Sequence, residues 1–319
     1  MATINSVLGP IDTSDLGFTL SHEHVLECSA GIQHLYPEFI DREGTIKKAV
    51  GIFKKAYAEG VRSIIDVTTI DLGRDIGVLE QVSRESGVHI ICATGVWLDI
   101  PRAFWVATPD MIAPLFIREI QDGIEGTGIK AGIIKVANGD DGVTPEGEII
   151  LRAAARAQIA TGVPISTHTG ARGRVGEEQL RIFEEEGVDP SRVYIGHSDN
   201  TDDMDYLSGL AEEGAYIGLD GLRVAGNSPG TPDFRQRIDI VVKLIEAGFA
   251  DRIMLGHDWS VLGDMFGGKE ARRETERHNP NGYLVISREV IPRLRQMDVP
   301  DETIAQIMVE NPRRFFEEG

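Results

Sequence analysis

The 319-residue sequence has little of several features that mark specialised classes of protein. It contains only two cysteines, Cys28 and Cys92, so it has no disulfide framework and both are expected to be free thiols in a reducing compartment. Positive charge is scarce, because 32 lysines and arginines stand against 51 aspartates and glutamates and leave a net charge of −19. Nucleic acids and anionic membranes bind basic surfaces, so neither is expected as a partner.

Long hydrophobic runs and targeting patterns are also missing. No stretch approaches the roughly 20 apolar residues that a membrane-spanning helix needs. The first residues, MATIN, do not show the basic and then apolar pattern of a secretory signal. A cytoplasmic protein is therefore expected, and its acidic field should attract divalent cations and disfavour strongly anionic substrates.

The sequence does contain a regular alternation of short, β-branched apolar runs and amphipathic helical patterns. This alternation implies parallel strands joined by crossover helices. Eight such units in a chain of this length favour a (β/α)8 barrel (TIM barrel) over an open doubly wound sheet, and no G-x-G-x-x-G follows the first strand. A short hairpin is expected over residues 3–16 and a single domain over residues 1–319. After a first strand that ends at 22–24, strands are predicted at 63–67, 89–93, 131–136, 163–167, 193–196, 215–219 and 252–256.

Candidate metal ligands gather where these strands end. His22 and His24 lie two residues apart on the first strand, so their side chains share one face. The others are Lys135 near the end of the fourth strand, His168 after the fifth, His197 after the sixth and Asp258 after the eighth. Each has an ordinary structural explanation alone, but the carboxyl ends of barrel strands are where active sites are built. Their common location, and the preference of metals for imidazole, predict a metal site.

The number of candidate ligands exceeds what one catalytic zinc ion uses, since three protein ligands and a water molecule are usual. Two metal ions would use them all if an anionic group bridged the pair. The ammonium of Lys135 cannot bridge, because it has three donors and no acceptor. A lysine carbamylated by CO2 would present two carboxylate-like oxygens, but the residues alone do not reveal that modification.

Five segments carry a family pattern: FTLSHEH at 18–24, GIKAGIIK at 128–135, STHT at 166–169, IGHSD at 195–199 and GHDW at 256–259. Together they resemble the phosphotriesterase family of the amidohydrolase superfamily, and the similarity runs nearly end to end. The resemblance implies two divalent metal ions. Zinc is expected, although cobalt, manganese or an iron–zinc pair suits the same ligands. The implied ligands are His22, His24 and Asp258 for the more buried ion, His168 and His197 for the more exposed one, and carbamylated Lys135 with a hydroxide as bridges.

The resemblance also implies a mechanism and an assembly. A hydroxide bridging two cations is available at neutral pH and would attack a carbonyl carbon or a phosphorus centre. Asp258 would take its proton as a general base, although a role as ligand alone is compatible with the same arrangement. The family further implies a homodimer.

Several positions bear on the substrate. Trp97 resembles the aromatic pocket wall of dedicated phosphotriesterases, or is simply a packing aromatic. Gly221 and Asn200 match the positions where those enzymes carry a histidine and an aspartate that pass the proton outward. The segment 221–232 also lacks their longer insertion. These absences favour a lactonase.

Two further positions are candidate substrate contacts. Arg223 resembles, with an offset register, an arginine that lactonases carry after the seventh strand, where it could meet a carbonyl or leaving oxygen; a solvated loop arginine is the alternative. The loop 260–281 is long, and its apolar start, which includes Leu262, is expected to contact an acyl or aryl chain.

The prediction is a metal-dependent hydrolase of ester bonds that acts on a neutral small molecule. It is a lactonase, acting on N-acyl-homoserine lactones or other γ-, δ- or aryl-lactones, with promiscuous phosphotriesterase activity. The alternative within the class is a dedicated organophosphate phosphotriesterase (aryldialkylphosphatase). Alternatives from other classes are a non-catalytic barrel stabilised by metal and a mononuclear deaminase.

Overall fold

The computed structural model describes residues 2–225, 228–262 and 276–317. Its strands are β1 (Thr3–Ser6), β2 (Gly9–Asp12), β3 (Phe18–Leu26), β4 (Val61–Asp66), β5 (His89–Gly95), β6 (Ile133–Asn138), β7 (Ile165–Thr169), β8 (Val193–Ile195), β9 (Tyr216–Leu219), β10 (Ile253–Leu255) and β11 (Ser260–Leu262). Its helices are α1 (Ile32–Leu35), α2 (Arg42–Ala58), α3 (Ile76–Ser86), α4 (Pro109–Gln121), α5 (Pro145–Thr161), α6 (Val175–Glu186), α7 (Met204–Glu212), α8 (Phe234–Glu246), α9 (Ile291–Gln296), α10 (Asp301–Ala305) and α11 (Asn311–Glu317). Single π-turns, Ile286–Val290 and Gln306–Glu310, lead into α9 and α11.

The strands from β3 to β11 form one parallel sheet in the order β10-β9-β8-β7-β6-β5-β4-β3-β11. The two edge strands, β10 and β11, follow each other directly in the chain. They pair with opposite ends of the sheet, β10 with β9 and β11 with β3. Between them, the Asp258 N–H donates to the carbonyl of His22 (3.0 Å), and the His24 N–H donates to that of Trp259 (2.9 Å). The sheet therefore closes on itself, and the predicted (β/α)8 barrel is confirmed.

The amino-terminal end of the barrel is covered. The predicted hairpin is confirmed, because β1 and β2 pair antiparallel from Thr3 with Asp12. It attaches to the barrel through the Val7 N–H, which donates to the Ile90 carbonyl (2.9 Å), and through Asn5 Nδ2, which donates to the Ala131 carbonyl (3.0 Å). The interior above it is filled by apolar and aromatic side chains, among them Ile65, Ile91, Ile133, Tyr194, Tyr216, Met254 and Phe315. The opposite, carboxyl end is left for the polar side chains.

Two of the strands that carry candidate ligands run further than predicted. Strands expected over 131–136 and 163–167 are observed as Ile133–Asn138 and Ile165–Thr169. Lys135 and His168 therefore lie within strands, and the prediction that His168 follows its strand is wrong. The predicted strands end with the apolar runs, but the ladder continues past them, because Ala137 and Asn138 still pair with His168 and Thr169.

None of the helices in the described ranges has both the length and the hydrophobicity needed to cross a membrane.

Candidate metal centre

The carboxyl half of β3 presents two buried histidines whose rings point the same way. Nδ1 of His24 lies 2.8 Å from the Thr68 hydroxyl, and Nδ1 of His22 lies 2.7 Å from Asp220 Oδ2. With these groups beside Nδ1, each histidine turns Nε2 toward Asp258, whose Oδ1 lies 3.7 Å from His22 and 3.4 Å from His24. Ligating histidines are usually fixed by a partner on the other ring nitrogen. These three residues form a group that can hold a metal ion.

A second pair of imidazoles stands beside the first. The ring of His197 lies 4.8 Å from that of His22 and 4.4 Å from that of His168, centroid to centroid. Nδ1 of His197 lies 2.7 Å from Asp220 Oδ1, so one carboxylate holds two of the histidines. His197 (φ 58°) and Asp258 (φ 49°) both have left-handed backbones, which cost free energy in residues other than glycine. The chain thus stores strain at two of the predicted ligands.

Lys135 is the one cationic side chain among the predicted ligands, and it lies at the same end of the barrel. Its side chain is 1% exposed, and Nζ has no hydrogen-bond partner among the described residues. Burial lowers the pKa of Lys135 to about 8, with Asp220 and Asp258 opposing the change. A buried ammonium without hydrogen bonds is costly. The site is therefore chemically incomplete with a simple ammonium and suits a lysine that carries an acidic group.

The predicted histidine ligands differ in pKa, and therefore in whether they are neutral at pH 7. Burial and the neighbouring Lys135 lower the pKa of His22 to about 3, and burial with His197 lowers the pKa of His168 well below its usual value. Both are neutral at pH 7 and are able to act as ligands. His24 differs: burial opposes its protonation, but Glu27 and Asp258 outweigh burial and raise its pKa to about 9. A metal ion must displace a proton from His24.

Asp258 is ionised, although its side chain is only 25% exposed. Burial alone would raise its pKa, but Arg223 and His24 hold the pKa well below the usual range. Nη1 of Arg223 lies 3.2 Å from Asp258 Oδ2 and donates to the Asp258 carbonyl and to that of His257 (3.3 Å). Arg223 thus lies at the centre, with 20% of its side chain exposed, and is not a solvated loop residue.

Trp97 also lies beside the centre. Its ring meets that of His168 edge-on at a centroid distance of 5.6 Å. The Asp71 carboxylate fixes this loop by accepting hydrogen bonds from the backbone N–H of Trp97 (3.0 Å) and of Asp99 (3.2 Å). Leu262 ends β11 opposite Leu26, but its side chain and residues 263–275 lie outside the described part of the chain. The roles predicted for these residues, and for the metal ligands, stay predictions.

The chain matches the family model described as the phosphotriesterase family over residues 2–316. It belongs to the phosphotriesterase family. It is 41% identical over 328 residues to a phosphotriesterase homology protein of Mycobacterium tuberculosis, covering 99% of this chain and 98% of the relative. An aryldialkylphosphatase of Saccharolobus solfataricus is 37% identical over 308 residues, covering 96% of each chain. A human N-acetyltaurine hydrolase is 27% identical over 349 residues, covering 98% of this chain and 97% of the relative.

The family prediction made from the five motifs is confirmed, and the chain is a phosphotriesterase-family hydrolase. Sequence reasoning missed Asp220, which contacts two predicted ligands. A signal for Asp220 was present, because it directly follows β9 just as other site residues stand at strand ends. Its neighbour Gly221 is informative in another way: a Cβ there would lie 2.2 Å from Nη1 of Arg237. The space beside Gly221 is filled by the guanidinium of this arginine from α8.

Proposed function

We propose that the chain is a binuclear metal-dependent lactonase that opens neutral γ- or δ-lactones, N-acyl-homoserine lactones among them, and hydrolyses phosphotriesters as a side reaction. The residues that would hold two divalent ions, zinc in the first place, are His22, His24, Asp258, His168, His197 and Lys135. When bound, the ions would supply Lewis acidity and make water a nucleophile at neutral pH. Proton transfer and stabilisation of the leaving group would be carried out by side chains of the protein.

The binuclear part of the proposal rests on Lys135. Its Nζ is buried and finds no hydrogen-bond acceptor among the described residues. Reaction of the neutral amine with CO2 would form an N–C bond, release one proton to solvent and convert this group into a carbamate anion with two oxygen ligands. Such an anion would complete both the hydrogen bonding and the charge of the site, because His22 and His168 bring no charge of their own.

The lactonase part rests on one observation, the contact of Arg223 with Asp258. Opening a lactone expels an alkoxide, which is a much stronger base than the phenolate released from an aryl phosphotriester. The step therefore needs a donor and a proton at the leaving oxygen. Arg223 supplies a fixed cation next to Asp258, at 3.2 Å. Asp258, kept ionised by that cation, is able to accept a proton from the attacking water and pass it to the alkoxide.

A dedicated phosphotriesterase is the second candidate. The contact of Trp97 with His168 favours it, and so does the similarity to a relative named aryldialkylphosphatase. The residues at positions 200 and 221 argue against it. Asn200 Oδ1 accepts a hydrogen bond from Arg237 Nη2 (2.8 Å), and the space beside Gly221 holds the same guanidinium. Neither position offers a titratable group to carry a proton outward.

The test is the ratio of kcat/KM values on metal-saturated protein for a panel of γ- and δ-lactones and an aryl dialkyl phosphate, with N-acetyltaurine as an amide substrate. We expect at least a tenfold preference for a lactone, which corresponds to about 1.4 kcal/mol in transition-state free energy. Asp258→Asn should abolish both activities. A tenfold preference for the phosphotriester or the amide would refute the lactonase assignment. Unchanged turnover in Asp258→Asn would indicate a non-catalytic barrel.

A variant of Arg223 separates the two candidates further. Arg223→Met should lower kcat/KM for alkyl lactones by about 100-fold or more, within the range for losing one electrostatic contact to a developing charge. The same variant should lower turnover of a phosphotriester with a nitrophenol leaving group much less, because that leaving group needs no donor. Equal losses on both substrates would show that Arg223 acts only by holding Asp258.

The partner of the proposed reaction is a neutral small molecule, in keeping with the net charge of −19. The homodimer implied by the family and the cytoplasmic location stay predictions. Sedimentation velocity of the full chain would decide the first.

A further inference from the structure

Arg237 lies in α8 and contacts none of the predicted metal ligands, yet it is one of the largest fully buried side chains. We propose that Arg237 is a positioning residue: with Asp199 it clamps the loop after β9, and so sets Asp220 and Arg223 against the predicted ligands. The inference rests on the metal centre of the proposed function.

The contacts of Arg237 reach both ends of that loop. At one end, Nη2 donates to the Thr231 hydroxyl (3.1 Å) and Nε donates to the Pro232 carbonyl (3.0 Å). At the other, Nη1 lies 2.6 Å from Asp199 Oδ2, and Nη2 donates to Asn200 Oδ1 (2.8 Å). A single guanidinium therefore connects α8, the end of the β9 loop and the turn that follows His197.

Asp199 links Arg237 to the start of the loop. Its carboxylate accepts a hydrogen bond from the backbone N–H of Gly221 (2.9 Å), the residue next to Asp220. The Asp220 carboxylate in turn contacts Nδ1 of both His22 and His197, at 2.7 Å each. A shift of the backbone at Gly221 would move the one group that orients these two histidines.

The contacts of Arg237 and Asp199 also position Arg223, which lies two residues after Gly221. Its backbone N–H donates to the Gly221 carbonyl (2.8 Å), and its Nη1 contacts Asp258. Since the loop is bound at Gly221 and again at Thr231 and Pro232, both anchors of the segment that carries Arg223 depend on the Arg237 side chain.

Arg237 and Asp199 fill the space in which a side chain at position 221 would lie. A Cβ at Gly221 would stand 2.2 Å from Arg237 Nη1 and 3.1 Å from Asp199 Oδ2. The glycine and the buried ion pair thus occupy one space between them. Buried ion pairs contribute little to stability compared with apolar side chains of similar size, because both charges are desolvated. We therefore assign the Arg237–Asp199 pair the role of fixing the position of the loop backbone at Gly221.

The experiment compares Arg237→Met with a matched control, Arg74→Met. Arg74 is equally buried and is paired with Glu119 through two hydrogen bonds (2.9 Å each), but it contacts neither Asp220 nor the β9 loop. Each reconstituted protein is challenged with a chelator, and the rate of metal release is followed together with Tm. The absorption spectrum of the cobalt-substituted protein reports the ligand geometry.

We expect Arg237→Met to release metal at least about tenfold faster than the parent protein and to change the cobalt spectrum, since removing the support of a ligand weakens metal binding by about 10–100-fold. Arg74→Met should lower Tm but release metal within about twofold of the parent rate. Arg237→Lys keeps the charge beside Asp199 but loses the fork to Asn200 and Thr231, and should lie between the two.

Parent-like metal release in Arg237→Met would overturn the proposal, and so would equal acceleration in Arg74→Met, which would mean general loosening. If Arg237→Met does not fold, Arg237→Lys and Asp199→Asn answer the same question. Metal release is measured without substrate, so a failed lactonase assignment leaves this inference standing. A parent protein that binds no metal overturns both.

Discussion

Asp220 is the carboxylate on which two of the predicted ligands depend. Its Oδ1 lies 2.7 Å from Nδ1 of His197, and its Oδ2 lies 2.7 Å from Nδ1 of His22. An asparagine in its place has one acceptor oxygen and one donor nitrogen, so it can accept a hydrogen bond from only one imidazole. The other histidine must then carry its proton on Nε2, the nitrogen that a metal ion needs. Asp220→Asn should therefore disable one ligand without removing it.

The expected loss of metal affinity is about 10–100-fold, the range for replacing a residue that orients a ligand. As binding free energy this is about 1.4–2.7 kcal/mol. The upper part of the range is expected because Asp220 is fully buried, so no water molecule can replace the lost acceptor. The assay is competition with a chromogenic chelator for the metals of the reconstituted protein.

Asp71→Asn is the matched control, since it makes the same change of charge in a buried carboxylate whose contacts are the backbone of Trp97 and Asp99 and the Thr69 hydroxyl. Its metal affinity should stay within about twofold of the parent. Parent-like affinity in Asp220→Asn, or equal losses in both variants, would refute the reasoning.

Other predictions concern the pocket, the protons and the packing. Asp71→Asn should raise KM several-fold with little change in kcat, because the loop of Trp97 loses one of its two acceptor oxygens; steady-state kinetics on the best substrate would check this. Metal affinity should rise up to about tenfold per pH unit from pH 7 to about 9 for the proton on His24 alone, since that proton is bound below its pKa of about 9 and must leave; chelator competition across this range checks this, and a metal affinity that does not rise with pH would contradict it. Gly221→Ala should destabilise the fold by about 1–3 kcal/mol through its collision with Arg237, and denaturant unfolding that matches the parent would contradict it.

The barrel was predictable because its evidence is local. Each strand is a short β-branched run, and helices such as Ile76–Ser86 end at a glycine that the chain supplies, here Gly87. The closure of the barrel was less visible, because the eighth strand is broken between Leu255 and Ser260 and pairs with a different neighbour on each side of the break. The break is where Asp258 lies, so the local pattern fails at the point where the site interrupts it.

The candidate site was predictable only where position along a strand implies position in space. His22, His24 and Asp258 follow that rule, and the structure brings them together. Asp220 obeys the same rule but has an alternative explanation as an ordinary turn residue. Arg237 could not be found from sequence, because its guanidinium reaches the loop after β9 from a helix whose pattern specifies only which face is buried.

The binuclear centre and the carbamylation of Lys135 can be tested together by the 13C NMR spectrum of protein reconstituted with zinc in 13C-labelled bicarbonate, with the zinc content determined on the same sample. We expect one carbamate carbon and two zinc ions per chain, with the carbamate signal absent in Lys135→Met. One tightly bound zinc ion per chain and no carbamate signal would contradict this, and would point to the alternative of a mononuclear deaminase.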